Sequence, residues 1–132
     1  MNHRVSRAAL AAPLLAAAML VACSSSSENS SALAADVRIV SGASLLGFQA
    51  FSPDTFTVDL GTATSVSVSW RNDDNGVVHI VTDTATIPVF ATGNIAVGDT
   101  AIVTFNATGS YGYRCSIHPT MQGLVIVTDT VP

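Results

Sequence analysis

The sequence predicts an all-β fold: a Greek-key β-sandwich of about 7–9 strands. Three observations carry that expectation. Short stretches alternate apolar and polar residues at the period of a strand. Gly, Asp, Asn and Pro turns separate these stretches at short intervals. Beyond the N-terminal segment, no stretch combines a helical period with caps.

The N-terminus is a separate matter. Met1 to Ala9 carries Arg4 and Arg7 and no acid, and Ala8 to Ala22 is uncharged and apolar. A positive start followed by a short apolar run is the layout of a secretory signal. The run is shorter than the ~20 residues that span a bilayer. It ends in Leu20-Val21-Ala22-Cys23, which resembles the lipobox of bacterial lipoproteins. That resemblance implies cleavage before Cys23, acylation of its thiol, and a chain held at the extracytoplasmic face of the cell envelope. A plain signal peptide or an uncleaved anchor is the plainer reading of the same residues. Ser24 to Ala35 is Ser-rich and lacks apolar periodicity, so it reads as a flexible spacer. The expected organisation is a signal at 1–22, a tether at 23–35 and one folded domain at 36–132.

Within that domain, Asp36 to Val40 alternates and forms the first expected strand. Leu45 to Phe51 is apolar, a second strand or an irregular edge. Pro53-Asp54 marks a turn, Phe56 to Leu60 a strand, and Gly61 another turn. Ser65 to Trp70 is the clearest strand, with Val66, Val68 and Trp70 on one face and serines on the other. Asn72 to Gly76 is a loop, and its Asp73 and Asp74 read as a solvated turn rather than a calcium site. Val77 to Thr82 is expected as a strand carrying His79. Ile87 to Ala91 is a loop or short strand, and Gly98-Asp99 a turn. Thr100 to Phe105, Tyr111 to Cys115 and Gly123 to Thr128 complete the set.

Composition narrows the function. From Cys23 onward three arginines face nine acids, a balance of −6, and the chain has no lysine. Nucleic acid binding leaves a basic footprint, which is absent. With Cys23 assigned to lipid, Cys115 is a lone thiol in an oxidising compartment. It then needs burial or a metal.

Cys115, His118 and Met121 lie within seven residues, spaced Cys-x2-His-x2-Met. After Cys23 the only other histidine is His79, and Met121 is the only methionine. One His2CysMet site therefore uses every soft donor of the domain. Thiolate, imidazole and thioether together suit copper in both oxidation states, as in electron-transfer copper sites. Each residue also has an ordinary reading: a packed histidine, a small buried thiol, a core methionine. Cys-x2-His alone would suit zinc, but structural zinc sites do not use Met. Tyr111 and Tyr113 read as strand packing rather than as electron relays.

The residues now resemble a known family. The pattern runs through Phe51-x-Pro53, Val68-Ser69-Trp70-x-Asn72, His79, Phe90, Gly98-Asp99-Thr100 and Phe105. It continues as Gly109-x-Tyr111-x-Tyr113-x-Cys115-x-x-His118-x-x-Met121-x-Gly123-x-Val125. It is similar to the cupredoxins, small blue copper proteins, and within them to plastocyanin and amicyanin, over about Val37 to Val127. The short gap to Met121 is most like amicyanin. The resemblance implies His79, Cys115 and His118 as equatorial ligands of one type 1 copper ion and Met121 as the axial one. It implies that His118 is the exposed edge where electrons cross, with Ile117 and Pro119 in an apolar docking patch. Two departures stand out. The stretch from Trp70 to His79 is about one residue longer than in near relatives, and Ile80 replaces a polar residue that in many relatives braces the cysteine loop.

The expected function is a membrane-tethered electron carrier, not an enzyme, passing one electron between envelope redox proteins that dock near His118. A monomer is expected. Copper storage or delivery is the alternative, but no Met-rich or His-rich tract is present to exchange the ion. Multicopper oxidases and copper nitrite reductases need further histidines that this chain lacks. A sandwich that lost its metal would not keep all four donors.

Overall fold

The structure is a computed structural model and describes residues 35–130. The expected signal at 1–22 and nearly all of the expected tether at 23–35 lie outside the described residues. Among the described residues, no helix is long and apolar enough to cross a membrane.

Among the described residues eight strands form two four-stranded sheets, as the alternating stretches led one to expect. The strands are β1 (Val37–Ile39), β2 (Phe51–Ser52), β3 (Thr55–Asp59), β4 (Val66–Asn72), β5 (Val81–Asp83), β6 (Thr100–Phe105), β7 (Gly109–Cys115) and β8 (Gln122–Thr128). One sheet has the order β2-β1-β4-β6, the other β3-β8-β7-β5. The pairs β1–β4 and β3–β8 are parallel, and the others antiparallel. The alternation in β4 places Val68, Trp70 and Asn72 inward, while Ser67 and Thr104 bond across the outer face at 3.0 Å.

Of the two forms expected for Leu45 to Phe51, the irregular one is found: two short 3-10 helices, Ala43–Leu45 and Gly47–Ala50, fill the crossover, and β2 starts at Phe51. Gly42 and Gly47, with φ of 75° and 57°, turn the chain there. The strand expected at Val77 to Thr82 begins only at Val81. The Asn72 side chain takes the carbonyls of Val77 and Ile95, at 2.8 and 2.9 Å, and so binds the preceding residues into a loop. His79 therefore lies on an isolated bridge to Ile95, with backbone bonds of 3.2 and 2.8 Å in the two directions, rather than on a ladder strand.

The core between the sheets is aromatic and β-branched. The Trp70 and Tyr113 rings meet edge to face at 5.3 Å, and Phe51 closes on Tyr113 at 4.9 Å. Toward the other end Phe90, Phe105 and Tyr111 continue the ring contacts. This packing holds β4 of one sheet against β7 of the other, and β7 ends at Cys115.

Two measurements follow from this core. A Cβ added at Gly123 would overlap the buried Tyr113 ring. Gly123→Ala is expected to lower stability by about 1–3 kcal/mol in denaturant unfolding, with much of the loss relieved in a Tyr113→Leu background. Burial pushes the Tyr113 phenol from its ordinary 10.0 up to about 12, the Trp70 indole offsetting this in part and the charge of Asp54 adding to it. The raised value favours the neutral phenol in the folded state. Its contribution is complete below pH 10 and is lost as pH rises through about 12. Tyrosinate absorbance of the folded chain should show this ring ionising only with alkaline unfolding.

Candidate metal centre

Three elements bring the donors together. β7 delivers Cys115 at its last residue, where Val81 of β5 pairs with it. The turn after β7 is closed by its own backbone: Met121 N donates to the His118 carbonyl at 2.9 Å, and Cys115 N to the Met121 carbonyl at 3.1 Å. The Ile95 bridge presents His79 from the neighbouring loop. His79, Cys115 and Met121 are fully buried, whereas His118 is partly exposed.

The donor atoms of His79, Cys115 and His118 lie within 4.8 Å of one another. Cys115 Sγ is 3.7 Å from His79 Nδ1 and 3.6 Å from His118 Nδ1. Both imidazoles thus turn the same nitrogen toward the sulfur. With metal bonds of about 2.0 Å to imidazole and about 2.3 Å to thiolate, the N···S separation is roughly 3.5 Å in a tetrahedral site and roughly 3.7 Å in a trigonal one. Both observed separations fall in that range. The cluster fits a single type 1 copper site, and its thiolate and imidazole donors suit both copper oxidation states. Met121 is buried at the end of the same turn.

Ile80, the apolar departure beside His79, braces the cysteine turn through its backbone. Ser116 N donates to the Ile80 carbonyl at 2.9 Å, and the Thr82 and Ser116 hydroxyls bond at 2.6 Å. A polar side chain at position 80 is not needed for that support.

The pair Asp73 and Asp74 is not the solvated turn that the sequence suggested. Asp73 is held by Arg38 and by Arg71, at 2.5 and 2.9 Å. Asp74 is 2% exposed. Its Oδ2 lies 2.9 Å from His79 Nε2, and its Oδ1 accepts Gly42 N at 2.6 Å and Asn75 N at 2.8 Å. Burial opposes the charge on Asp74, but the hydrogen bonds from Gly42, His79 and Asn75 outweigh it and hold the carboxyl below its ordinary value. Sequence reasoning missed this residue because an Asp in an Asn/Asp/Gly loop is ordinarily solvated. The one available signal was its place five residues before a candidate ligand.

Two apolar residues flank the partly exposed His118. Ile117 is half exposed, and Pro119 is exposed beside it. Gly47 lies between the exposed Leu46 and Phe48, and a Cβ added there would come within 3.8 Å of the Thr120 carbonyl, so the crossover passes beside the donor turn.

Comparisons with known proteins agree with the site. No curated protein matches the chain. Among solved structures, a purple cupredoxin from Nitrosopumilus maritimus is 29% identical, with a TM-score of 0.62, over 71% of this chain and 99% of that one. A copper-containing nitrite reductase from Thermus scotoductus SA-01 is 25% identical, with a TM-score of 0.54, over 74% of this chain but only 23% of the reductase. An oxidized proline-to-glycine mutant of amicyanin shares the fold at a TM-score of 0.56 and 22% identity, over 75% of this chain and 87% of that one. The family described as the cupredoxin-like domain matches residues 13–127. With that span, two four-stranded sheets and a His/Cys/His cluster where the strands end, the chain belongs to the cupredoxin-like domain family.

Proposed function

We propose that the protein is a membrane-tethered carrier of single electrons in which His79, Cys115, His118 and Met121 would hold one copper ion. The convergence of two imidazole nitrogens on one buried thiol carries this reading. The ion, when bound, supplies a one-electron Cu(I)/Cu(II) couple. The chain's own residues do the rest. Cys115 gives a thiolate donor shielded from water. Met121 offers a soft sulfur at the end of the turn. Pairing with β5 and β8 keeps the donors in place as the electron arrives and leaves, so little rearrangement opposes either step. His118 reaches the surface and offers the shortest way out. Ile117 and Pro119 let a partner's apolar face approach and exclude water there. The two histidines of the described residues both belong to this cluster, which leaves none for a second, catalytic metal.

The amino-terminal reading completes the proposal. Residues 1–22 act as a lipoprotein signal, Cys23 takes the lipid, residues 23–35 form the tether, and 36–132 are the carrier domain at the extracytoplasmic face of the envelope. A single acyl signal holds a chain weakly and two hold it firmly, so acylation at both the thiol and the new N-terminus would give a stable anchor.

Copper titration of the purified chain, followed by visible absorption and electron paramagnetic resonance, tests the site. One equivalent should give an intense thiolate-to-copper band with a narrow hyperfine splitting, and Cys115→Ala should give neither. A colourless product would end the carrier reading, and release of copper to an apo-protein would favour delivery instead. Cys23→Ala should move the protein from the membrane fraction to the soluble fraction and leave the band unchanged. Electron self-exchange between two copies probes the docking face without any partner being known. Ile117→Glu should slow it by about tenfold or more, because juxtaposed like charges cost on the order of 1.4 kcal/mol or above. An unchanged exchange rate would place electron entry elsewhere.

A further inference from the structure

We propose that Asp74 is a positioning residue for the copper centre: its carboxylate holds His79 in the tautomer that turns the Nδ1 lone pair toward the metal, and places a fixed negative charge behind that ligand that favours Cu(II). The inference rests on His79 binding copper through Nδ1.

The geometry carries it in three steps. An ionised carboxylate only accepts hydrogen bonds, so the imidazole nitrogen 2.9 Å from Asp74 Oδ2 must be the one that bears the proton. That nitrogen is Nε2. The lone pair then sits on Nδ1, which already faces Cys115 Sγ at 3.7 Å. The ligand is therefore oriented before any metal arrives. Second, the carboxylate itself cannot swing away. Its Oδ1 is held by Gly42 N and Asn75 N, and Asn72 Oδ1 accepts Asp74 N at 2.9 Å. Third, both partners are out of water, with Asp74 2% exposed and His79 fully buried. In such a setting a hydrogen bond to charge is little screened, and it raises the basicity of the imidazole as a ligand. A more basic ligand and a nearby negative charge both stabilise the more positive oxidation state. His118 has no equivalent: among the described residues, no carboxylate forms an ion pair with it.

An amide cannot take this place intact. Asn at position 74 has one acceptor atom, whereas the site asks for acceptors on both sides. Either the amide NH2 meets the Nε2–H of His79, or it meets the N–H groups of Gly42 and Asn75.

The experiment compares the full chain with Asp74→Asn, in detergent, by copper titration and redox potentiometry. Loss of such a support costs about 10–100-fold in metal affinity. That loss should fall mainly on Cu(II), and each tenfold difference between Cu(II) and Cu(I) raises the potential by about 59 mV. A variant that binds copper at the wild-type potential, even with lowered melting temperature, would make Asp74 a loop staple only and overturn the proposal. Wild-type protein that takes up no copper would overturn the carrier reading along with it. Because the variant's fold could suffer, a second measurement uses metal-free wild-type protein. Nitrogen-15 resonances of His79 should show a protonated Nε2 with slowly exchanging hydrogen and an unprotonated Nδ1. A proton on Nδ1, or an even mixture of the two tautomers, would overturn the proposal whatever copper does.

Discussion

The structure depends on one constraint: a thiol and two imidazoles must meet with their donor atoms within 4.8 Å, with the thiol and one ring removed from water. Polar groups buried without partners are costly, and no single strand or loop can arrange three of them. The fold solves this by convergence. β7 and β8 are joined by the tight turn that carries two donors, and β5 holds the end of β7 in register. The opposite sheet supplies β4, whose last residue, Asn72, anchors the loop that leads to His79. The aromatic contact between Trp70 and Tyr113 keeps the sheets at a fixed separation, so both halves of the site share one rigid frame.

How much of this was legible in the sequence follows from where the information lies. The alternation in β4 is a local property with period two, and it placed that strand and its core face correctly, while β6 and β8 were placed as strands. The donor turn was legible because its spacing is short: the seven residues from Cys115 to Met121 leave few ways to point three soft side chains. His79 was found by elimination and by the family resemblance, but its setting was misjudged. A β-branched stretch reads as strand, but the Asn72 side chain takes the carbonyl of Val77 at its start. The short 3-10 helices after β1 were equally hidden, since an apolar run of that length suits a strand as well as an irregular crossover. Asp74 was the deepest omission. Its hydrogen-bond partners Gly42 and His79 are brought together only by the tertiary fold.

The two histidines of the cluster differ in a way that composition could not show. His79 is buried, tied by its backbone to Ile95 and by its ring to a carboxylate. His118 lies in the turn itself, is partly exposed, and is rimmed by Ile117 and Pro119. A site with two anchored rings would be rigid but closed to electrons, and one with two exposed rings would be open but loose. The asymmetry divides the demands. The buried side carries the bonds of His79 to Asp74 and Ile95, whereas no carboxylate among the described residues pairs with His118, so contact at the partly exposed ring need not disturb them. In the proposed carrier, docking against His118 would leave the bonds behind His79 untouched, which is the separation that an exchange of single electrons requires.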